Sequence, residues 1–376
     1  MKVATTLLGF CVASLMMLGL VMLYSSSMAQ VGARYLLMQL AWCGLGLVAC
    51  AVMAGTDYQV LKRLAWGIYG LAIVLLILVL IPGIGAKVNG ARRWLDLGGV
   101  RFQSSEFAKL AMIIALAAYA DRHQRHMNEF QRGLVLPGAL LAGIILLVFV
   151  EPDRGTSILL AAVGGMMLLV AGVRLRYLAA PALAASAALA WSLWNDPLRM
   201  RRIFSWIYLE ENKDGVGYQA YQAMLALGSG GLAGRGLGSG RQKLGFLPEH
   251  HTDFIFSIIG EELGVLATLG VVGLFLTLVI CGLYIARRAR DPFGFYLAAG
   301  ITFLIGLQAF INIGVVTSAL PNKGLPLPFI SYGGSNLLMM LAAVGILLSI
   351  ARQAEEPPPA RARNPFGARD LAPVHG

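Results

Sequence analysis

About ten apolar stretches, each long enough to cross a bilayer as a helix, constrain this chain more than any other feature. They lie near residues 4-24, 35-55, 64-82, 105-120, 133-150, 156-173, 176-194, 253-286, 294-317 and 333-351. A helix needs about 20 residues to span the roughly 30 Å hydrocarbon core. Inside that core no water satisfies backbone N–H and C=O groups, so only helices and closed barrels cross it, and runs of this length read as helices. With 58% hydrophobic and 13% charged residues and a mean hydropathy of +0.72, a water-soluble fold is excluded. The expected fold is an all-α integral membrane protein of about ten transmembrane helices, with one large extracytoplasmic loop, about 195-252, between helices 7 and 8.

Residues 1-351 read as one transmembrane domain. Residues 352-376, with Glu355-Glu356-Pro357-Pro358-Pro359 and then Arg361, Arg363 and Arg369, have the polar, Pro-rich composition of a disordered cytoplasmic tail. Cys11, Cys43, Cys50 and Cys281 all fall in apolar segments and read as small buried hydrophobes. Lys2 before an apolar run and Ser27-Met28-Ala29 after it give the start a likeness to a signal peptide, but the run is long for one and an uncleaved first helix is expected. The sequence shows neither an internal repeat nor a matched pair of broken helices, which disfavours an inverted-repeat transporter.

Orientation follows from the cations that flank short loops. With the N-terminus inside, Lys62/Arg63, Arg122/Arg125/Arg132, Arg174/Arg176 and Arg287/Arg288/Arg290 become cytoplasmic, and ten spans return the C-terminus to the same side. Residues 83-104, 151-155 and 195-252 then face outward. Their cations, among them Lys87, Arg92, Arg93, Arg101, Arg154, Arg235, Arg241 and Lys243, leave two readings open: a solvated basic surface, or a surface that concentrates an anionic ligand. Nucleic acid is excluded by compartment.

Five polar constellations interrupt the apolar pattern. The first, Asn89-Gly90-Ala91-Arg92-Arg93-Trp94, runs on to Ser104-Ser105-Glu106-Phe107-Ala108-Lys109, and reads either as a Trp-anchored surface hairpin or as a pair of arginines forking onto phosphate. Glu106 and Lys109 lie in the fourth span, where each charge costs about 3 kcal/mol, but their spacing of three puts them on one helix face to neutralise each other. Ser104 or Ser105 is the expected N-cap. Glu151-Pro152-Asp153-Arg154-Gly155-Thr156 reads as a tight outer turn, and Gly228 to Gly240 as a flexible loop or an anion-binding nest. Pro321 to Ser335 holds three prolines and three glycines, and irregular backbone at membrane depth survives only where it is buried or lines a cavity. The fifth is Pro248-Glu249-His250-His251-Thr252-Asp253, at the mouth of an apolar span, where an ionisable residue marks a functional site by default.

In this order over ten spans, the runs Asn89 to Lys109, Glu151 to Thr156, Pro248 to Glu262 and Leu320 to Ser335 resemble the shape, elongation, division and sporulation family of peptidoglycan glycosyltransferases. The resemblance covers residues 5-351, and the run Leu320 to Tyr332 is closer to the division members than to the elongation members. Arg154 stands where the family usually has an apolar residue.

The resemblance implies a bacterial inner-membrane enzyme at the division septum that polymerises lipid II, an undecaprenyl-pyrophosphate-linked disaccharide peptide. The donor is α-linked and the product β-1,4-linked, so a single inverting displacement with one base suffices. Asp253 matches the family's essential aspartate and is the expected base. Lys109, Arg92, Arg93 and Lys323 are candidates to meet the leaving pyrophosphate, with a divalent cation, magnesium or manganese, as a further one. Glu106 is expected to orient Lys109. His251 and Thr252 flank the base and could tune it, Ser331 joins them as a substrate-binding candidate, and Glu261 and Glu262 are expected to face a polar cavity. The implied partners are a class B penicillin-binding protein transpeptidase, other divisome proteins and membrane lipids. A lipid II flippase and a scaffold are the rival classes.

Overall fold

The computed structural model describes residues 1–88, 91–96, 98, 101–248 and 251–355. Long helices occupy all ten apolar stretches: α1 (Lys2–Val31), α2 (Arg34–Gly55), α3 (Gln59–Leu80), α4 (Ser104–Arg122), α5 (Leu136–Val150), α6 (Arg154–Val170), α7 (Leu175–Trp194), α10 (Ile255–Arg287), α11 (Pro292–Val316) and α12 (Gly334–Glu355). Among the described residues seven helices are long and apolar enough to cross a membrane. The helices α4, α6 and α7 are not among them: α4 carries Glu106 and Lys109, and α6 has only 17 residues. The segment between α7 and α10 is no plain loop, since it folds into α8 (Pro197–Ile207) and α9 (Tyr218–Ser229). The helix α12 runs through Glu355, past the expected domain end at 351, and the rest of the expected tail lies outside the described residues.

Between α3 and α4 the chain forms a three-stranded antiparallel sheet of β1 (Gly85–Val88), β2 (Ala91–Asp96) and β3 (Arg101–Gln103). Val88 pairs with Ala91 and Trp94 with Gln103, so the expected hairpin is present and gains a third strand. Asn89 and Gly90 lie outside the described residues.

The helices α4, α11 and α12 are buried around most of their circumference. That burial explains how α4 carries two charges: they face protein rather than lipid. The helices α2, α3 and α5 instead expose Leu40, Leu45, Leu71 and Leu146, the apolar surface that lipid covers. One end of the bundle gathers the Met1 ammonium with Glu355 (3.7 Å), Arg352 with the carbonyl of Gly55 (3.0 Å), and Lys62 with Asp121 (2.6 Å). The sheet, the 151–153 turn and the segment before α12 share the opposite end: Arg93 donates to Pro152 O (2.7 Å), and Trp206 Nε1 to Ser318 O (2.8 Å). Met1 and Glu355 therefore lie on the same face.

The helix α10 is broken. Gly264 has φ +79°, a conformation open to glycine, and residues 231–236 enter the gap. The amides of Val265 and Leu266 bond to the carbonyls of Gly231 (3.0 Å) and Leu232 (3.3 Å), while Arg235 N and Gly236 N reach the carbonyls of Glu261 and Glu262, both at 3.0 Å. A Cβ on Gly234 or Gly264 would overlap the other strand's backbone. The sequence reads this span as continuous, and no matching break is found in the other described helices.

Candidate active site

The segment carrying His251, Thr252 and Asp253 is held by its backbone. Three consecutive carbonyls each accept a hydrogen bond from a different donor: His251 O from Tyr332 N (3.0 Å), Thr252 O from Ser331 Oγ (2.5 Å) and Asp253 O from Asn312 Nδ2 (2.8 Å). The first two donors belong to the Pro-rich stretch 321–333, and Asn312 lies on α11. Ser331 Oγ also accepts from Leu327 N (2.8 Å), which folds that stretch on itself. The irregular segment therefore survives because its polar groups find protein partners.

Beneath it runs a buried polar chain. Lys109, 1% exposed, donates to Glu106 at 2.7 Å and to Gln308 Oε1 at 2.8 Å. Glu106, 3% exposed, also accepts from Asn336 Nδ2 on α12 at 2.8 Å. Gln308 Nε2 donates to Pro326 O (2.9 Å), and one helical turn along α11 Asn312 donates to Leu325 O (2.6 Å) as well as to Asp253 O. The network thus links α12, α4, α11, the Pro-rich stretch and the backbone of Asp253. Sequence reasoning missed Gln308 and Asn312. Their signal was available: two amides four residues apart, on one face of an otherwise apolar helix.

Several expected substrate contacts are taken by the protein itself. Lys109 and Glu106 form the anticipated pair, but both are buried and bonded to protein, so neither presents a free face to pyrophosphate. Ser331 is buried too, and its one O–H is given to Thr252 O. Arg92 and Arg93 are neighbours in β2 and alternate between the faces of the sheet. Arg93 is spent on the carbonyls of Glu151 (3.1 Å) and Pro152 (2.7 Å), and Arg92 is part-exposed opposite Lys87. His251 stacks on Tyr35, with ring centroids 5.1 Å apart, and lies near Tyr332. Asp253, Thr252, His251 and Lys323 are all part-exposed. Gly324 lies against Asp253: a Cβ there would overlap the carboxylate oxygen Oδ2. Glu249 and His250 lie outside the described residues.

The Glu151 turn is an N-cap, not a bare turn. Asp153 accepts from Thr156 N (3.1 Å) and Thr156 Oγ1 (3.0 Å) and so starts α6. The expected cap at Ser104 or Ser105 is not made; Gln103 occupies the cap position, and Ser104 Oγ leans to Glu151 at 3.4 Å. Arg154 lies over the ring of Phe149, 5.4 Å from its centroid. Glu151 is 0% exposed, and its Oε2 has no hydrogen-bond partner among the described residues. Burial, and then the neighbouring Asp153, push its carboxyl up to about 8, against the opposing pull of Ser104 and Arg93.

The folded chain therefore keeps this proton up to pH near 8, while the unfolded chain releases it near 4.5. Its stabilising share is complete below the lower value and is lost as pH rises through the upper one. Between pH 5.5 and 8.5 the parent's Tm in detergent is expected to fall more than that of Glu151→Gln; parallel curves would contradict a neutral Glu151.

Among the described residues no three His, Cys, Asp or Glu side chains gather as a metal site.

Residues 5–356 match the family model for FtsW, RodA and SpoVE, described as "Cell cycle protein". The chain belongs to this family. It is 41% identical to the probable peptidoglycan glycosyltransferase FtsW of Trichlorobacter lovleyi over 90% of this chain and 91% of that one. It is 38% identical to the stage V sporulation protein E of Bacillus subtilis, over 90% and 94%. Among solved structures it is similar to one described as a peptidoglycan synthase complex that coordinates polymerization and crosslinking, with TM-score 0.80 and 28% identity over 93% and 98% of the two chains. The Thermus thermophilus rod shape determining protein RodA gives TM-score 0.69 and 28% identity over 93% and 97%. This family member is a multi-pass membrane protein, and its matched span includes every element of the site described above.

Proposed function

We propose that the chain is a peptidoglycan glycosyltransferase that polymerises lipid II at the outer face of the bacterial cytoplasmic membrane, with Asp253 as its base. The observation that carries this reading is the hold on residues 251–253: three carbonyls are bound, while the Asp253 carboxylate lies part-exposed against a residue with no side chain. The 4-hydroxyl oxygen of the acceptor attacks C1 of the donor sugar, the C1–O bond to pyrophosphate breaks with its electron pair, and Asp253 takes the hydroxyl proton. The carboxylate also steadies positive charge building at C1. Lys323 and Arg92 are the part-exposed cations of the original set and meet the departing pyrophosphate. Lys109 and Glu106 act from behind, by holding Gln308 and the Pro-rich stretch.

The 41% identity to proteins named FtsW, against 28% to RodA, supports a division role at the septum. The outward-facing site supports cytoplasmic placement of the face that holds Met1 and Glu355. The partner is a class B penicillin-binding protein that cross-links the strands, in keeping with the complex to which the fold is similar.

Purified full-length protein, incubated with lipid II with and without its transpeptidase, is expected to yield a ladder of glycan strands. Movement of lipid II across vesicles without polymer would make it a flippase, and neither activity a scaffold. Gly324→Ala is expected to fold normally, because a side-chain carboxylate can swing aside, yet to lose at least about tenfold in kcat through misplacement of the base. Parental kcat in that variant would contradict the assigned geometry.

A further inference from the structure

Glu261 and Glu262 do not face an open cavity. Both are 0% exposed, and both are gripped by the glycine-dense segment. Glu262 accepts from the amides of Gly238 (3.0 Å) and Gly240 (3.3 Å), from Lys243 Nζ (2.6 Å) and from Ser25 Oγ (2.6 Å). Glu261 accepts from the amides of Arg241 (2.8 Å) and Gln242 (3.2 Å), with the Arg235 guanidinium 3.8 Å away. Lys243 also donates to Ser25 Oγ at 3.0 Å, which ties in α1. The segment is a nest, as its glycines allow, but the anions it receives are the protein's own.

Burying two adjacent carboxylates costs several kcal/mol per ion before their partners repay it. An apolar pair would pack α10 with less desolvation, so packing alone does not account for them. What directional acceptors add is register. The loop binds this Glu pair twice, through its side chains and, at the helix break, through its backbone carbonyls. Asp253 lies near the middle of the chain between Lys243 and Glu262, so the Lys243–Glu262 contact ties together two points about equally far along the chain from it.

We infer that this carboxylate clasp is a positioning device for Asp253, with Glu261, Glu262 and Lys243 as positioning residues that set both ends of the segment presenting the base. The inference rests on the proposed role of Asp253. It separates the donors that hold residues 251–253 locally from a second anchor at the base of their loop.

The test uses the full chain with its transpeptidase and purified lipid II. Glu262→Gln keeps shape and one acceptor oxygen but loses the ion pair. Its kcat is expected to fall about 10²-fold, the cost of a displacement near 1 Å, with KM little changed. Hydrogen exchange is expected to quicken at residues 245–254 and stay parental in α11 and α12. An unchanged kcat, or exchange that rises equally in all three regions, would overturn the proposal. Should Glu262→Gln fail to fold, Gly240→Ala makes the same test without removing a charge. Its Cβ would lie 2.8 Å from Glu262 Oε1 and 3.0 Å from Glu261 Oε2 and push the carboxylates aside. The same split of kcat from KM is expected, and parental kcat overturns the clasp. Asp253→Asn in the same assay separates the two ideas. If it polymerises, the reading of Asp253 fails; if it is inactive while both clasp variants match the parent, the clasp alone is refuted.

Discussion

Lys109→Met is expected to destabilise the protein by about 3–5 kcal/mol, the usual cost of breaking a buried ion pair by removing one partner. The lysine is 1% exposed and bridges Glu106 on its own helix to Gln308 on α11. Without it, Glu106 stays buried with Asn336 as its remaining side-chain partner, and Gln308 Oε1 loses its donor. In detergent the loss should appear as a fall in Tm of about 4–6 °C, given the unfolding entropy of a chain of 376 residues. Pairing Lys109→Met with Glu106→Gln removes the orphaned charge and should recover much of that loss, because an amide side chain can still accept from Asn336. A Lys109→Met protein as stable as the parent would show that the pair contributes nothing. Recovery of stability in the double variant without recovery of polymerisation would show that the charge pair serves the reaction as well as the fold.

How much of this was legible beforehand depends on the range of the interactions. The helices over the ten apolar stretches were legible because each is specified locally, by its own apolar run, although among the described residues only seven are long and apolar enough to cross a membrane. The Glu106–Lys109 pair was legible because a spacing of three places two side chains on one helix face. Arg92 and Arg93 look like a pair in sequence, but the strand they occupy sends them to opposite faces, and among the described residues only Arg93 is committed to the carbonyls of Glu151 and Pro152. The break in α10 was invisible because a lone glycine within a long, mostly apolar span is compatible with continuous helix, and the segment that fills the gap begins more than twenty residues earlier. The glycine-dense stretch reads as a flexible loop or a nest for an external anion; its amides instead hold Glu261 and Glu262, a pairing set by tertiary packing. Ser331 was read as a substrate ligand from its place in a motif, whereas its hydroxyl is committed to the backbone beneath Asp253.

Asp253→Asn is expected to lower kcat by about 10²–10⁴-fold, the range over which a positioned general base contributes. The substitution keeps the size of the side chain and leaves the three carbonyl contacts of residues 251–253 intact, so folding should be unaffected. An amide cannot take the proton of the acceptor hydroxyl, and it carries no charge to steady positive charge at C1. The two losses act on the same step, so KM for lipid II should change little while kcat collapses. The direct measurement is a gel that resolves glycan strands made from purified lipid II by detergent-solubilised parent and Asp253→Asn, each with its transpeptidase and each checked for matching Tm. Polymer from the parent and none from the variant is the predicted result. Equal polymer from both would contradict the account and remove Asp253 from the chemistry.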